Sequence, residues 1–407
     1  MYHSYRVLLW YYPFNIYKGE AIWTVSLLAF IHTDAERKYA VKTARVRRVG
    51  RGNIMSKIPI SVCIIAKNEE KFIEECLKHL QPYGFEIVVT DTGSTDRTRE
   101  IAEKYADKVL DFVWINDFSA ARNFCVANAT NNWILILDCD EYVCKADAKE
   151  LQALTKRYPH FVGSIRLRNI SYVNGKKEFT TDDVIRFYDR RYYRFVLPIH
   201  EQITYMEDDR IGDPVNNFML PIEVEHYGYA VSEEEKIKKN QRNLELLYDA
   251  IAKNPNDPYM YFQAAQSERV LRNIEKAIPL YEKSLALNDN IAYPYVEVGI
   301  EMLAGLYMQV QRSDDALALM EQYEKTCQSA KFTYAHAQVY YNSGNVLKAL
   351  VLFIKTSILP DTDTLGDDLL QCYRYIINIY NDMGNAEMVW AFREKYEQCI
   401  IERNKKE

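Results

Sequence analysis

Apolar runs of the N-terminal half alternate with amphipathic stretches. Ile60 to Ala66 is a nearly continuous apolar run, Lys71 to Leu80 is amphipathic at helical spacing, Glu86 to Thr90 is apolar again, and a helical stretch follows Asp96. Strand, helix, strand, helix is the rhythm of a parallel sheet. A further run, Trp133 to Leu137, ends abruptly in Asp138-Cys139-Asp140-Glu141. It predicts a buried central strand that delivers acids to its carboxyl end, the edge at which open α/β sheets bind ligands. Acids at i and i+2 of an extended chain point the same way, so Asp138 and Asp140 can bracket one hard divalent cation and, through it, a diphosphate. The competing account is that one of them caps the next helix.

The pattern changes twice further on. From Phe161 to Gly228 aromatic and basic positions alternate, as in Arg186 to Phe195, which predicts half-buried strands. Beyond about Ser232 the period is helical to the end of the chain. After Lys253-Asn254-Pro255-Asn256-Asp257-Pro258, small and aromatic positions recur as Ala265/Ala277/Tyr281, Ala304/Tyr307/Ala316/Met320, Ala337/Tyr340/Ala349/Phe353 and, weakly, Tyr380/Val389. Gly344-Asn345 and Gly384-Asn385 fall at turns between paired helices. This is the tetratricopeptide pattern of about 34 residues, clear in the third unit and degenerate in the others. Such stacks present a concave surface that grips a peptide, a protein or a partner subunit; the alternative is a solubilising helical cap that completes the α/β domain. The domains expected are an extension over 1–54, an α/β domain over 55–231 and a helical repeat domain over 232–407.

The second strand ends in Asp91-Thr92-Gly93-Ser94-Thr95-Asp96. A carboxylate there can accept from the imide of a pyrimidine base or from a ribose hydroxyl, while Ser94, Thr95 and Asp96 can cap the following helix. In Asn116 to Asn123, Ser119 is a candidate N-cap and Arg122 lies in the first turn. A cation at a helix start is unfavourable unless an anion is near. Either a bound diphosphate or a neighbouring carboxylate would supply it.

Taken together, Ile64-Ile65-Ala66-Lys67-Asn68-Glu69, Asp91 to Asp96, Asn116 to Asn123 and Asp138-Cys139-Asp140 make Ser61 to Glu141 similar to glycosyltransferase family 2. The resemblance implies a GT-A fold that binds a nucleotide-diphosphate sugar, most simply UDP-linked, with inversion at the anomeric carbon. It implies Ala66, Asn68, Glu69, Asp91, Arg122, Asn123 and Asp138 as donor contacts, with Asp91 on the base and Asp138 near the ribose. Asp140 would then hold Mn²⁺ or Mg²⁺ on the diphosphate. The segments after Phe161 resemble the members of that family with a tetratricopeptide tail, among them bacterial transferases that glycosylate peptides.

A lone histidine is more often a hydrogen-bonded core or surface residue than a ligand, but the resemblance to metal-dependent GT-A enzymes, in which a histidine distal to the acidic motif supplies a further ligand, nominates His226 as one. Glu201 is nominated as the general base, with a salt bridge to a nearby arginine as the alternative. The acceptor expected is a peptide, protein or glycan. The other readings are a tetratricopeptide scaffold with an inactive sugar-nucleotide domain and a nucleotidyltransferase. The latter would usually carry a Gly-rich, basic phosphate loop, which Ala66-Lys67-Asn68-Glu69 is not.

Composition narrows the classes. A net charge of −6 offers no polybasic grip on nucleic acid, and 48% hydrophobic residues in 407 support real cores. Eight cysteines without a regular framework suggest reduced thiols in a cytoplasmic protein. In the first 54 residues the apolar patch Ala21 to Ile31 is shorter than the roughly 20 residues that cross a bilayer. The expectation is that Met55 is the true start, with a membrane-surface anchor as the rival.

Overall fold

The computed structural model describes residues 58–173, 176–207, 215–228, 233–288 and 290–404; the expected extension over 1–54 and the start at Met55 lie outside them. The chain divides into two compact units between Lys236 and Ile237, where the change of period had suggested 231. Among the described residues no helix is long and apolar enough to cross a membrane.

The first unit contains β1 (Ile60–Ala66), α1 (Ile73–Leu80), β2 (Glu86–Asp91), α2 (Thr98–Tyr105), β3 (Lys108–Asp111), α3 (Phe118–Ala127), β4 (Trp133–Leu137), β5 (Glu141–Ala146) and α4 (Ala148–Arg157). Five strands follow: β6 (Val162–Val173), β7 (Lys176–Asp189), β8 (Tyr193–Val196), β9 (Gln202–Tyr205) and β10 (Asn217–His226). One eight-stranded sheet has the order β3-β2-β1-β4-β7-β6-β10-β5, and β8 pairs with β9. The first four strands are parallel, as their rhythm predicted. β1 shows why they read as continuous apolar runs: Val62 and Ile64 pack with α1 and α2, while Cys63 packs with α3 on the opposite face. Both faces are covered, so neither can be polar.

Two features of this sheet build a site. Strand order reverses at β1, with β2 on one side and β4 on the other, and such a switch point opens a crevice at the carboxyl ends. β10 runs antiparallel to β5 and parallel to β6, which sets His226 opposite Glu141 and Asn169.

The second unit is helical, with α5 (Glu233–Lys253) beginning just before the division. Four pairs follow: α6 (Pro258–Val270) with α7 (Ile274–Leu287), α8 (Pro294–Gln309) with α9 (Ser313–Tyr323), α10 (Ala330–Asn342) with α11 (Val346–Thr356), and α12 (Asp367–Asp382) with α13 (Ala386–Asn404). The small positions read from the sequence, Ala265, Ala277, Ala304, Ala316, Ala337 and Ala349, are buried where helices meet. Each pair turns the same way. The N–H groups of Asn273, Arg312, Asn345 and Asn385 donate to the carbonyls of Glu268, Tyr307, Tyr340 and Tyr380, and the residue before each has positive φ. That residue is glycine in the last two pairs but Arg272 (φ 63°) and Gln311 (φ 62°) in the first two. Without the usual glycine punctuation, those two units look degenerate in sequence.

Candidate active site

The site lies on the loops after β1, β2 and β4. Asn68, in a left-handed conformation (φ 56°), joins the first two loops: its N–H donates to Ser94 Oγ (3.0 Å), and its Oδ1 accepts from the N–H of Thr95 (2.8 Å). The Glu69 N–H donates to Thr98 Oγ1 (2.7 Å), and the Ala66 carbonyl accepts from the N–H of Thr92 (2.9 Å). Ser94 and Thr95 therefore tie two strand ends together instead of capping α2. Asp96 does accept from the N–H of Thr98 in its first turn. Asp91, only 5% exposed, uses Oδ1 to hold the N–H groups of Gly93 (2.8 Å) and Ser94 (2.7 Å); Oδ2 takes no hydrogen bond among the described residues. One carboxylate oxygen is left for a ligand.

α3 is capped by Asp117, which accepts from the N–H of Ala120 (2.8 Å), and not by Ser119, whose hydroxyl donates to the Leu197 carbonyl. This moves Arg122 past the first turn and into the interior. Its Nε donates to Glu201 Oε1 (2.6 Å) and its Nη2 to Asp138 Oδ1 (2.8 Å). Arg186 completes the network, with Nη2 donating to Asp138 Oδ2 (3.0 Å) and to Glu141 Oε1 (2.6 Å). Burial alone would raise the Asp138 carboxyl, but Arg122 and Arg186 hold it well below the usual range. Glu141 is pushed up instead, chiefly by burial, against the pull of Arg186. Arg122 Nη1 and Arg186 Nε are buried without a hydrogen-bond partner among the described residues. Buried donors of this kind call for a water or a ligand oxygen.

Asp138 and Asp140 do not bracket one point as an extended strand would place them. The chain turns after Leu137, with the Glu141 N–H donating to the Asp138 carbonyl, so Asp138 faces the arginines and Asp140 faces β10. There Asp140 Oδ2 stands 3.5 Å from His226 Nε2. Burial would lower the His226 imidazole, but Asp140, Glu141 and Asp138 together raise it. A Cβ at Gly228 would collide with both Asp140 Oδ2 and His226 Nε2, so only glycine leaves that space open. Among the described residues there is no cluster of three or more His, Cys, Asp or Glu side chains able to hold a metal. Asn123, expected on the donor, spends its amide on β8: Nδ2 donates to the Phe195 carbonyl (2.9 Å), and Oδ1 accepts from the Phe195 N–H (3.1 Å).

The model of glycosyl transferase family 2 matches residues 61–206, which span β1 through β9 and hold Asp91, Arg122, Asp138, Asp140, Arg186 and Glu201. This stretch is a family 2 glycosyltransferase domain. The chain is 30% identical to a TPR repeat-containing protein of Synechococcus elongatus over 49% of its own length and 50% of the relative's. It is 27% identical to the SPbeta prophage-derived glycosyltransferase SunS of Bacillus subtilis, over 56% of this chain and 54% of that one. A match to the lipopolysaccharide core biosynthesis glycosyltransferase LpsC of Rhizobium meliloti, at 26% identity, covers 46% of this chain and 70% of that one. The chain thus spans about half the length of the first two relatives. Among solved structures, crystalline MamA aligns at 13% identity and a TM-score of 0.36, over 43% of this chain and 98% of that one.

Arg186 and Gly228 escaped the sequence reading as site residues. β6 and β7 pair as Gly163 with Phe187 and Ser164 with Ile185, so Arg186 is the extra residue of a bulge, and bulges re-aim side chains. Basic-aromatic alternation does not disclose which arginine the bulge turns inward. The sole sequence signal for Gly228 is a glycine just after a histidine at a strand end.

Proposed function

We propose that the protein is an inverting, metal-dependent glycosyltransferase that moves a sugar from a nucleotide-diphosphate donor, UDP-linked, to a peptide, protein or glycan acceptor. The observation that carries this is the convergence of Asp140 and His226 beside Gly228 at the carboxyl edge of the sheet, across the switch point from Asp91. The fit of a divalent cation rests on that pair: two ligand atoms 3.5 Å apart in a space that a Cβ would fill. Mg²⁺ and Mn²⁺ accept few protein ligands when diphosphate oxygens and water complete the shell. When bound, the metal neutralises charge on the departing diphosphate.

The chain's own residues do the rest. Asp91 Oδ2 accepts a hydrogen bond from the base, with the joined loops of Ala66, Asn68 and Glu69 as its floor. Asp138 spends one lone pair of each oxygen on an arginine, and its partly exposed side chain keeps the others for a ribose hydroxyl. Glu201 keeps Oε2 clear of hydrogen bonds among the described residues while Oε1 is held by Arg122, so one oxygen can take the acceptor's proton. The acceptor attacks the anomeric carbon opposite the diphosphate; the C–O bond breaks, and its electron pair leaves with the phosphate. Stacked helical repeats build concave surfaces suited to an extended polypeptide, which favours a peptide or protein acceptor.

Thermal unfolding against a panel of nucleotide sugars, each with and without Mn²⁺, tests this directly. A ligand of the native state raises the midpoint by mass action. A Mn²⁺-dependent rise with one UDP-sugar is the expected result. No rise with any donor would leave the protein a repeat scaffold with an inert sugar-nucleotide domain.

A further inference from the structure

We propose that Asn169 and Asp182 are positioning residues that hold His226 in its Nδ1–H tautomer, so that the Nε2 lone pair faces Asp140 and the cation. The proposal rests on the metal-dependent reading above and adds the residues that orient one of its two ligands.

The hydrogen-bond directions follow from the chemistry of each group. Asn169 lies on β6 opposite His226 of β10 and is 6% exposed. One end of its amide stands 2.6 Å from Asp182 Oδ2 on β7. An ionised carboxylate only accepts, so that end is the NH₂ group, and the amide oxygen must face the other way. There it meets His226 Nδ1 at 2.7 Å. An amide oxygen also only accepts, so Nδ1 carries the hydrogen. With Nδ1–H committed to Asn169, the nitrogen left to give up its hydrogen to a cation is Nε2, 3.5 Å from Asp140 Oδ2 beside Gly228. Turning the Asn169 amide over would set its oxygen against the Asp182 carboxylate and its NH₂ group against Nδ1–H. The carboxylate of Asp182 thus reaches the imidazole through Asn169, and partners of this kind fix a ligand ring and raise its basicity. Three adjoining strands supply the three groups, so the sheet itself holds the chain of bonds in line.

Two measurements test it. Long-range ¹H–¹⁵N NMR of metal-free protein labelled at its seven histidines reads the tautomer of His226 directly, assigned with His226→Ala. The native protein should show hydrogen on Nδ1, Asp182→Asn should preserve it because an amide oxygen still accepts from Asn169, and Asn169→Leu should lose it. Should Asn169→Leu fail to fold, Asp182→Ala takes its place, since it frees the Asn169 amide to turn. An unchanged His226 spectrum in Asn169→Leu, or in Asp182→Ala where that variant replaces it, would overturn the proposal. Mn²⁺ affinity in the presence of UDP, read by electron paramagnetic resonance, should fall roughly 10–100-fold in Asn169→Leu. If His226→Ala leaves Mn²⁺ affinity unchanged, the metal reading fails at His226 while the tautomer result stands on its own spectrum.

Discussion

Asp140 Oδ2 stands 3.5 Å from His226 Nε2, and the missing side chain of Gly228 keeps the space beside them open. Gly228→Ala should therefore drive the two side chains away from that space without touching the core of the sheet. The expected outcome is at least a tenfold loss of Mn²⁺ affinity, on the order seen when a metal's supporting shell is disturbed, with an unfolding midpoint close to the native one. Calorimetric titration of Mn²⁺ and a thermal melt of the same sample check both halves.

Asp140→Ala removes the carboxylate proposed to hold the metal and leaves the Arg122 and Arg186 network intact, because neither arginine bonds to Asp140. Turnover of the donor should vanish, and chelation of the native enzyme should do the same and be reversed by Mn²⁺. Full activity of Asp140→Ala after chelation would place the metal, or the chemistry, elsewhere.

Arg122 is enclosed by Asp138 and Glu201, so Arg122→Ala leaves two carboxylates with part of their compensation gone. Breaking one side of a fully buried ion pair costs about 3–5 kcal/mol, and denaturant unfolding should register a smaller loss here, because the Asp138 side chain is 35% exposed and keeps Arg186. Asp138→Asn should cost less because Arg122 retains Glu201, and Glu201→Gln should spare donor binding while slowing transfer.

Acid stability should depend on Glu86, at the opposite edge of the sheet. Burial alone would raise its carboxyl; Ser61, Thr130 and Lys108 bring it down from 4.5 to about 2. A carboxylate with a depressed native pKa stabilises the fold above its unfolded pKa and loses that contribution as pH falls through the native value. The shift corresponds to about 3 kcal/mol, lost between about pH 4.5 and 2. Glu86→Gln should flatten this part of the stability–pH curve, measured by urea unfolding at successive pH values.

In the repeats, Arg272 and Gln311 hold left-handed turns that glycine holds at 344 and 384. A side-chain-bearing residue there costs about 1 kcal/mol, so Arg272→Gly and Gln311→Gly should each raise the unfolding free energy by about that much. Gly344→Ala should lower it similarly.

The comparison of sequence and structure is clearest at individual residues. β1, β2 and β4 were visible because burial on both faces imposes continuous apolar runs, and Asp91 and Asp138 because they stand where those runs stop. Of the helical repeats, the third was clear as recurring small and aromatic positions and the others were faint, the first two lacking a glycine at the turn. Ser119 was chosen as a cap because hydroxyls suit that position, but Asp117 also suits it and lies where α3 begins. The sequence could not arbitrate between two good caps two residues apart.

Local pattern thus determined the class of fold, the edge of the sheet that carries chemistry, and the acids on it, since periodicity and strand ends are properties of neighbouring residues. Tertiary structure decided which groups those acids meet. Asp138 could have faced a metal or a cation, and a turn after Leu137 together with a bulge at Arg186 gave it two arginines. Asp140 met His226 only because β10 is laid beside β5 and β6, strands far from it in sequence. Such pairings depend on strand register, which is set by packing of the whole sheet and leaves no mark on the residues next to each acid.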